Sequence, residues 1–284
     1  TQNRARAMRS SVLYDAPGPK TRRLSRLVSI LGSLVIACGL LWLIATLAAP
    51  RETQPGFVQP GLFDRSRWNI FYMPFQGFSP MSVWQGIFSG LAATFSAALV
   101  AAVLAILFGM VICLLRLTRR TWVRVPATIM LEFIRGMPVL LMMLFILLVF
   151  GISTFWVVVA ALTLYNGVVI GEAIRSGIQS LPRGQREAGL SIGLSSLQVR
   201  LMIEFPQALR QMTPIIVAQL VVLLKDTSLA YIIGYEDLLK KITHLSNFYG
   251  DRYFFSVFLV ALVAYLLVNL SVSWFARYLS RHVR

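Results

Sequence analysis

The sequence has little acid. Eleven Asp and Glu residues stand against 27 Lys and Arg, giving a formal charge of +16, although only 13% of the 284 residues are charged. Cysteine and histidine are scarce too, with two of each. Cys38 and Cys113 lie in apolar runs, which fits small core residues and excludes a disulfide framework or a thiolate metal site. His244 and His282 are far apart, with no other ligand types beside them, so no metal-binding spacing exists. A phosphate-cradling Walker A loop needs Gly-Lys before Ser or Thr, and here the lysines follow Pro19, Leu224, Leu239 and Lys240. No catalytic triad arrangement and no fixed-period repeat appears.

What the chain has in abundance is apolar surface. It is 57% hydrophobic, with a mean hydropathy of +0.72. A soluble domain has no way to bury so much, so the sequence reads as an integral membrane protein, in contact with membrane lipid. The positive charge gathers between and beside the apolar runs. Arginine next to a span stays in the cytoplasm, so this pattern is explained without invoking nucleic acid.

Taken in order, residues 1–26 read as a basic cytoplasmic tail, with Pro17-Gly18-Pro19 interrupting any helix. Residues 27–49 are uncharged and long enough for a first transmembrane helix, uncleaved and with its N-terminus inside. Residues 50–84 are rich in Pro, Gly and aromatics, and are expected outside, partly on the outer leaflet. Residues 85–284 form the main transmembrane domain. Its spans are expected at 85–115, ended by Arg116, Arg119, Arg120 and Arg124; at 129–150, kinked at Pro138; at 155–177; at 213–234; and at 253–276, followed by Arg277, Arg281 and Arg284. Residues 235–252 read as an outer loop. The expected fold is an all-α membrane protein of six transmembrane helices, with both termini in the cytoplasm.

The stretch 181–214, LPRGQREAGLSIGLSSLQVRLMIEFPQALRQMTP, is the longest polar interval in the second half. Pro182 can open a short helix and Gly193 can end it. Ser195 and Gln198 form a capping-box pattern for a second helix, along which Leu197, Leu201 and Phe205 follow at helical spacing, with Arg200 and Glu204 on other faces. Pro206 is expected to break or kink it, and Pro214 to mark the start of the next span. Gly189 and Gly193 share a face and leave a shallow notch. On the residues alone this is either a docking element or an amphipathic connector on the headgroups.

Glu187-Ala188-Gly189, Gly193, Ile203 and Pro206 resemble the EAA loop of ABC importer permeases. The run from Gly184-Gln185 through Pro206-Gln207-Ala208-Leu209-Arg210 to Leu224-Lys225-Asp226-Thr227-Ser228-Leu229 resembles the polar amino-acid (histidine, glutamine and glutamate) branch, over roughly Gly86 to the C-terminus. Arg135-Gly136-Met137-Pro138 is similar to that family's Arg-Gly-x-Pro element. Two residues depart from the pattern: Gly189 stands for the usual second alanine and Phe205 for the usual leucine. The first helix and long outer segment look most like actinobacterial glutamate importer permeases. The resemblance implies a type I permease core of five helices plus one N-terminal helix, in a bacterial plasma membrane. It implies a second, different but homologous permease subunit, two ATPase subunits and an extracellular substrate-binding protein. It also implies no cofactor in this chain, with ATP and Mg held by the ATPase. Glu187, Ala188, Gly189, Gly193 and Pro206 would couple to that ATPase, whose closure tilts the helices. No enzymatic activity is implied for this chain.

Charges at membrane depth are candidates for a substrate path. They are Glu172, near Asn166, and the group Lys225, Asp226, Thr227 and Ser228. An amino-acid zwitterion offers a carboxylate for Lys225 and an ammonium for Glu172 or Asp226. The blander reading pairs Lys225 and Asp226 with neighbouring helices and bonds Thr227 and Ser228 back to the preceding turn. Arg135 has a ready partner in Glu132 on the same helix face. An alternative function, an ion-coupled secondary amino-acid transporter, would use the same charges but predicts inverted repeats, which the sequence lacks.

Overall fold

The computed structural model describes residues 19–54 and 57–282, so most of the basic tail, and Arg284, lie outside the described residues. The chain divides into two compact units, meeting at Arg67 and Trp68.

In the first unit, helix α1 (Pro19–Ala48) begins eight residues before the expected position 27. Proline suits a first helical position, so the helix carries Arg23 and Arg26 in its opening turns. Its apolar side chains, including Val35 and Trp42, are exposed. A short antiparallel hairpin follows, β1 (Arg51–Gln54) with β2 (Phe57–Gln59).

The second unit is helical. Its opening, within the segment expected outside and partly on the outer leaflet, packs several of its side chains against the helices. Ile70 is buried with Val83, Ile87, Tyr253 and Val257. Phe75 meets the Tyr249 and Tyr253 rings edge-on at 5.5 and 5.8 Å, and Phe71 lies 5.5 Å from Trp84. Ile70, Phe71 and Phe75 thus find protein partners, while Tyr72, Met73 and Phe78 between and beyond them stay exposed.

Helix α2 (Pro80–Leu117) is 38 residues long. Ser79 caps it by accepting a bond from the Met81 N–H, which moves its start ahead of residue 85. At 1.5 Å per residue it is about 57 Å long, well beyond a hydrocarbon core of about 30 Å.

The expected span 129–150 does not exist as one kinked helix. Helix α3 (Thr121–Gly136) stops and α4 (Val139–Phe150) leaves at 106°. Met137 is extended because the proline ring after it disfavours helical backbone, and Pro138 has no N–H to continue the ladder. Gly151, in the left-handed region, closes α4.

Helix α5 (Thr154–Ser180) lies against α2, and glycine lets the two backbones approach closely. A Cβ on Gly171 would stand 2.5 Å from the Gly109 carbonyl oxygen, and one on Gly167 would stand 2.9 Å from that of Ala105. Ala97, Ala101 and Ala105 are fully buried on the same stripe of α2. Lipid supplies no hydrophobic drive between helices, so close backbone approach over small residues is what holds them.

Two short helices follow, α6 (Arg183–Ser191) and α7 (Ser196–Val199). A π-turn, Arg200–Glu204, joins α7 to α8 (Phe205–Asp226) without interruption. Residues Ser196–Tyr231 thus form one helical rod. This corrects the roles expected of two prolines. Pro206 lies just after the π-turn within the continuous rod, and Pro214 lies inside α8 without ending it. The expected outer loop 235–252 contains α9 (Leu238–Tyr249), capped by Asp237 and packed into the same core as Ile70. Helix α10 (Phe254–His282) completes the unit.

Apart from the β1–β2 hairpin, this is an all-α membrane protein of the type I permease fold. Among the described residues, five helices are long and apolar enough to cross a membrane, or six if α3 and α4 count as one broken span.

Candidate functional site

The α6–α7 hairpin is built much as its local sequence signals direct. Pro182 precedes α6, and Gly193 has φ +86°, a conformation that a Cβ makes costly. Ser195 and Gln198 form the full capping box: the Gln198 backbone N–H donates to Ser195 Oγ, and the Ser195 N–H donates to Gln198 Oε1 at 2.8 Å.

Gly189 does something other than leave a notch for a partner. A Cβ there would meet Ile203 Cδ1 at 2.8 Å and Val199 Cγ2 at 2.9 Å. The open face is already filled by the chain's own second helix, because α6 folds back onto the rod. Of the apolar series expected along that helix, Phe205 is buried, whereas Leu197 and Leu201 are exposed and Val199 takes the inner position. Glu204, expected on a polar face, is 5% exposed and pairs with Arg186 at 3.8 Å. Arg200 donates to the Leu117 carbonyl at 2.5 Å, tying the rod to the end of α2. Facing outward are Glu187, Ala188, Leu190 and Ile192, the last 77% exposed. Pro206 is exposed on the rod beyond them.

Glu172 is not an open group along a path. It accepts from Arg116 of α2 and from Arg175 one turn further along α5, the latter through Nε at 2.9 Å. The three side chains make a charged clamp across the α2–α5 seam. Asn166 is fully buried. Its amide donates to the Leu162 carbonyl at 2.9 Å, and its oxygen accepts from Gln219 of α8 at 2.8 Å. Such a bridge inside a membrane bundle links helices because no water is there to substitute.

Lys225 is exposed, and among the described residues neither it nor Asp226 enters an ion pair, which corrects the pairing reading. Adjacent residues on α8 point different ways, so no neighbouring helix meets both. Thr227 and Ser228 do bond back, to the carbonyls of Leu224 at 2.6 Å and Lys225 at 2.9 Å. Both line a cavity of about 200 Å³ with Thr94, Asp237 and Tyr265. Glu132 and Arg135 lie 3.9 Å apart as a helix-face pair.

Sequence reasoning missed Arg116, Gln219 and the small-residue ladder. The ladder had a readable signal: Ala97, Ala101, Ala105 and Gly109 recur every fourth residue, opposite Gly167 and Gly171. Gln219 had none, since one amide in an apolar helix does not name its partner.

The fold and this hairpin together have clear relatives. Residues 102–284 match the family described as "Binding-protein-dependent transport system inner membrane component", and the chain belongs to that family. The glutamate transport system permease protein GluD of Corynebacterium glutamicum is 33% identical over 232 residues, spanning 79% of this chain and 82% of that one. The probable glutamine ABC transporter permease protein GlnP of Bacillus subtilis is 35% identical over 199 residues, 67% of this chain and 90% of that one. A crystal structure of an amino acid ABC transporter with histidines superposes with a TM-score of 0.63 at 26% identity, covering 74% of this chain and 100% of that one. The chain is a permease subunit of an amino-acid ABC importer, a multi-pass inner membrane component of the polar amino-acid branch. Subunits of this kind are not themselves enzymes, and they work with an ATPase and a substrate-binding protein.

Proposed function

We propose that this permease carries glutamate, forms half of a path shared with a second, homologous permease, and takes its drive from two ATPase subunits through the 181–214 hairpin. In this reading the arginine-rich ends of the helices and both termini lie in the cytoplasm, as positive-inside topology requires. The binding protein delivers substrate at the opposite face. ATP and Mg stay with the ATPase.

One observation carries the coupling. The hairpin presents large apolar side chains, Leu190 and Ile192, on a polar segment between spans, while its inner face is locked to a rod running from Ser196 to Tyr231. Apolar groups exposed in this way mark a protein interface. Because the hairpin and the rod share the Gly189–Val199–Ile203 contact and the Arg186–Glu204 pair, a push on α6 is passed to the rod that continues into α8. Glu187, Ala188, Gly193 and Pro206 act in this reading as the outer face, the turn and the base of the lever.

Of the groups considered for the path, Asn166 and Glu172 are engaged within the bundle and serve to position α5. Lys225, Asp226, Thr227 and Ser228 remain as groups that substrate could meet, with Lys225 suited to a carboxylate. Support for glutamate comes from the GluD relative and from the N-terminal helix and outer segment.

The test is ATP-driven uptake of labelled glutamate into proteoliposomes holding the permeases and ATPase, with binding protein added. Unlabelled glutamate should compete far better than arginine or glutamine; preferential competition by either of those would reassign the substrate. Ile192→Asp should weaken ATPase association about 30-fold, as for loss of one buried interface anchor of about 2 kcal/mol. Full association in that variant would remove the hairpin from the coupling role. Uptake driven by an ion gradient without ATPase would instead favour the secondary-transporter alternative.

A further inference from the structure

Where α2 ends, the hairpin and the α2–α3 turn enclose a cleft of about 530 Å³. Arg119, Arg120, Arg186 and Arg200 line it, with Leu115 and Leu197 among its apolar walls. The charge is unbalanced: Glu204 pairs with Arg186, and among the described residues neither Arg119 nor Arg120 is in an ion pair. Arg200 spends one nitrogen on the Leu117 carbonyl, while its buried Nε has no partner among the described residues. Burying one arginine among three others is electrostatically unfavourable unless an anion joins them.

We propose that this cleft binds the phosphodiester headgroup of an anionic phospholipid. Its position selects lipid over a soluble anion or a protein surface. It lies at the end of a spanning helix, next to Trp122, which is 71% exposed in the manner of an interfacial anchor. The exposed apolar side of α2, Val111 and Leu115, leads away from it, so an acyl chain has a surface to follow. A basic pocket between helices at this depth suits a phosphate with a tail. A docking ATPase instead meets the outward face of α6. This inference needs only that α2 spans the membrane, and is independent of which amino acid is carried.

The test uses the full-length protein, purified in detergent together with its ATPase, and follows thermal stability as dipalmitoyl phosphatidylglycerol, phosphatidylcholine or sodium phosphate is titrated in. Phosphatidylglycerol should give a saturable upward shift that the other two do not. The double variant Arg119→Gln/Arg120→Gln removes only exposed side chains, so its fold is preserved; circular dichroism checks this. It should need roughly 30-fold more phosphatidylglycerol for the same shift, at about fivefold per arginine near a membrane surface. The proposal is overturned by equal shifts from phosphatidylcholine, by a full shift from sodium phosphate alone, or by an unaltered phosphatidylglycerol response in the variant. Loss of ATPase co-purification with an unaltered lipid response would also overturn it, and would make the cleft a protein-docking surface. The uptake assay is read separately, so a wrong substrate assignment leaves this result standing.

Discussion

Gly171 and Gly189 each press against a neighbouring element, and they differ in what presses back. At the α2–α5 seam Gly171 meets backbone, the Gly109 carbonyl. At the hairpin Gly189 meets the side-chain ends of Ile203 and Val199. Backbone in a packed bundle has nowhere to go, while a flexible side chain can rotate. The first contact is therefore part of the fixed frame, and the second is a joint that can yield. The polar groups follow the same division. Arg116, Glu172 and Arg175 interlock across the seam, whereas Arg186 and Glu204 are 3.8 Å apart and leave Glu204 Oε2 without a partner among the described residues.

Substituting the two glycines separates frame from joint. Gly171→Val should have the larger effect, because neither helix can give way: a loss of about 3 kcal/mol or more, seen as failure to recover folded protein from detergent. A variant that melts like the parent would show that α2 and α5 can slide apart, and the frame would have to be sought elsewhere. Gly189→Val should cost roughly 1–2 kcal/mol, taken up by rotation of Ile203 and Val199. Its thermal midpoint should fall only slightly, yet binding-protein-stimulated ATP hydrolysis in the assembled complex should drop severalfold. If hydrolysis stays coupled and the midpoint alone falls, the contact is packing and nothing more.

The frame was only partly readable beforehand, and the joint rather more so. Span number and the polar hairpin follow from apolar runs and from Pro182, Gly193, Ser195 and Gln198, each of which acts on the backbone within a few residues. What escaped depends on partners distant in sequence. Within 50–84, Phe75 reads as an interfacial aromatic, and only the fold brings Tyr249 and Tyr253 to pack on it. Glu172 looked like an open charge until Arg116, 56 positions earlier, closed on it. Pro138 gave the right place and the wrong severity, because a proline's local effect does not reveal whether neighbouring helices will hold two halves in line. The glycine spacing reads as an open notch at Gly189, but Val199 and Ile203 of the same chain fill it.

The smallest expected effect lies beyond the seam, where α9 packs against α2. Asp237 is 2% exposed; its carboxylate accepts the Lys240 N–H and caps α9, and the neighbouring Leu238 N–H donates to Thr94 of α2. Burial pushes the Asp237 carboxyl up to about 6, against the opposing pull of the backbone N–H groups of Lys240 and Leu239. An unfolded aspartate titrates near about 3.9. Between those values the folded state holds the extra proton, so stability falls as pH rises from about 4 through 6 and then levels off. Asp237→Asn keeps the cap, since asparagine serves as well there, but removes the titration. The thermal midpoint of the parent, minus that of the variant, should therefore drop between pH 4 and pH 7 and stay level above it. Glu236, held low by Lys241, acts with the opposite sign but is common to both proteins and cancels in the difference. A flat difference profile would mean that Asp237 is charged throughout. The α9 cap would then belong with the fixed frame, insensitive to pH, and the softer contacts of the molecule would be confined to the hairpin.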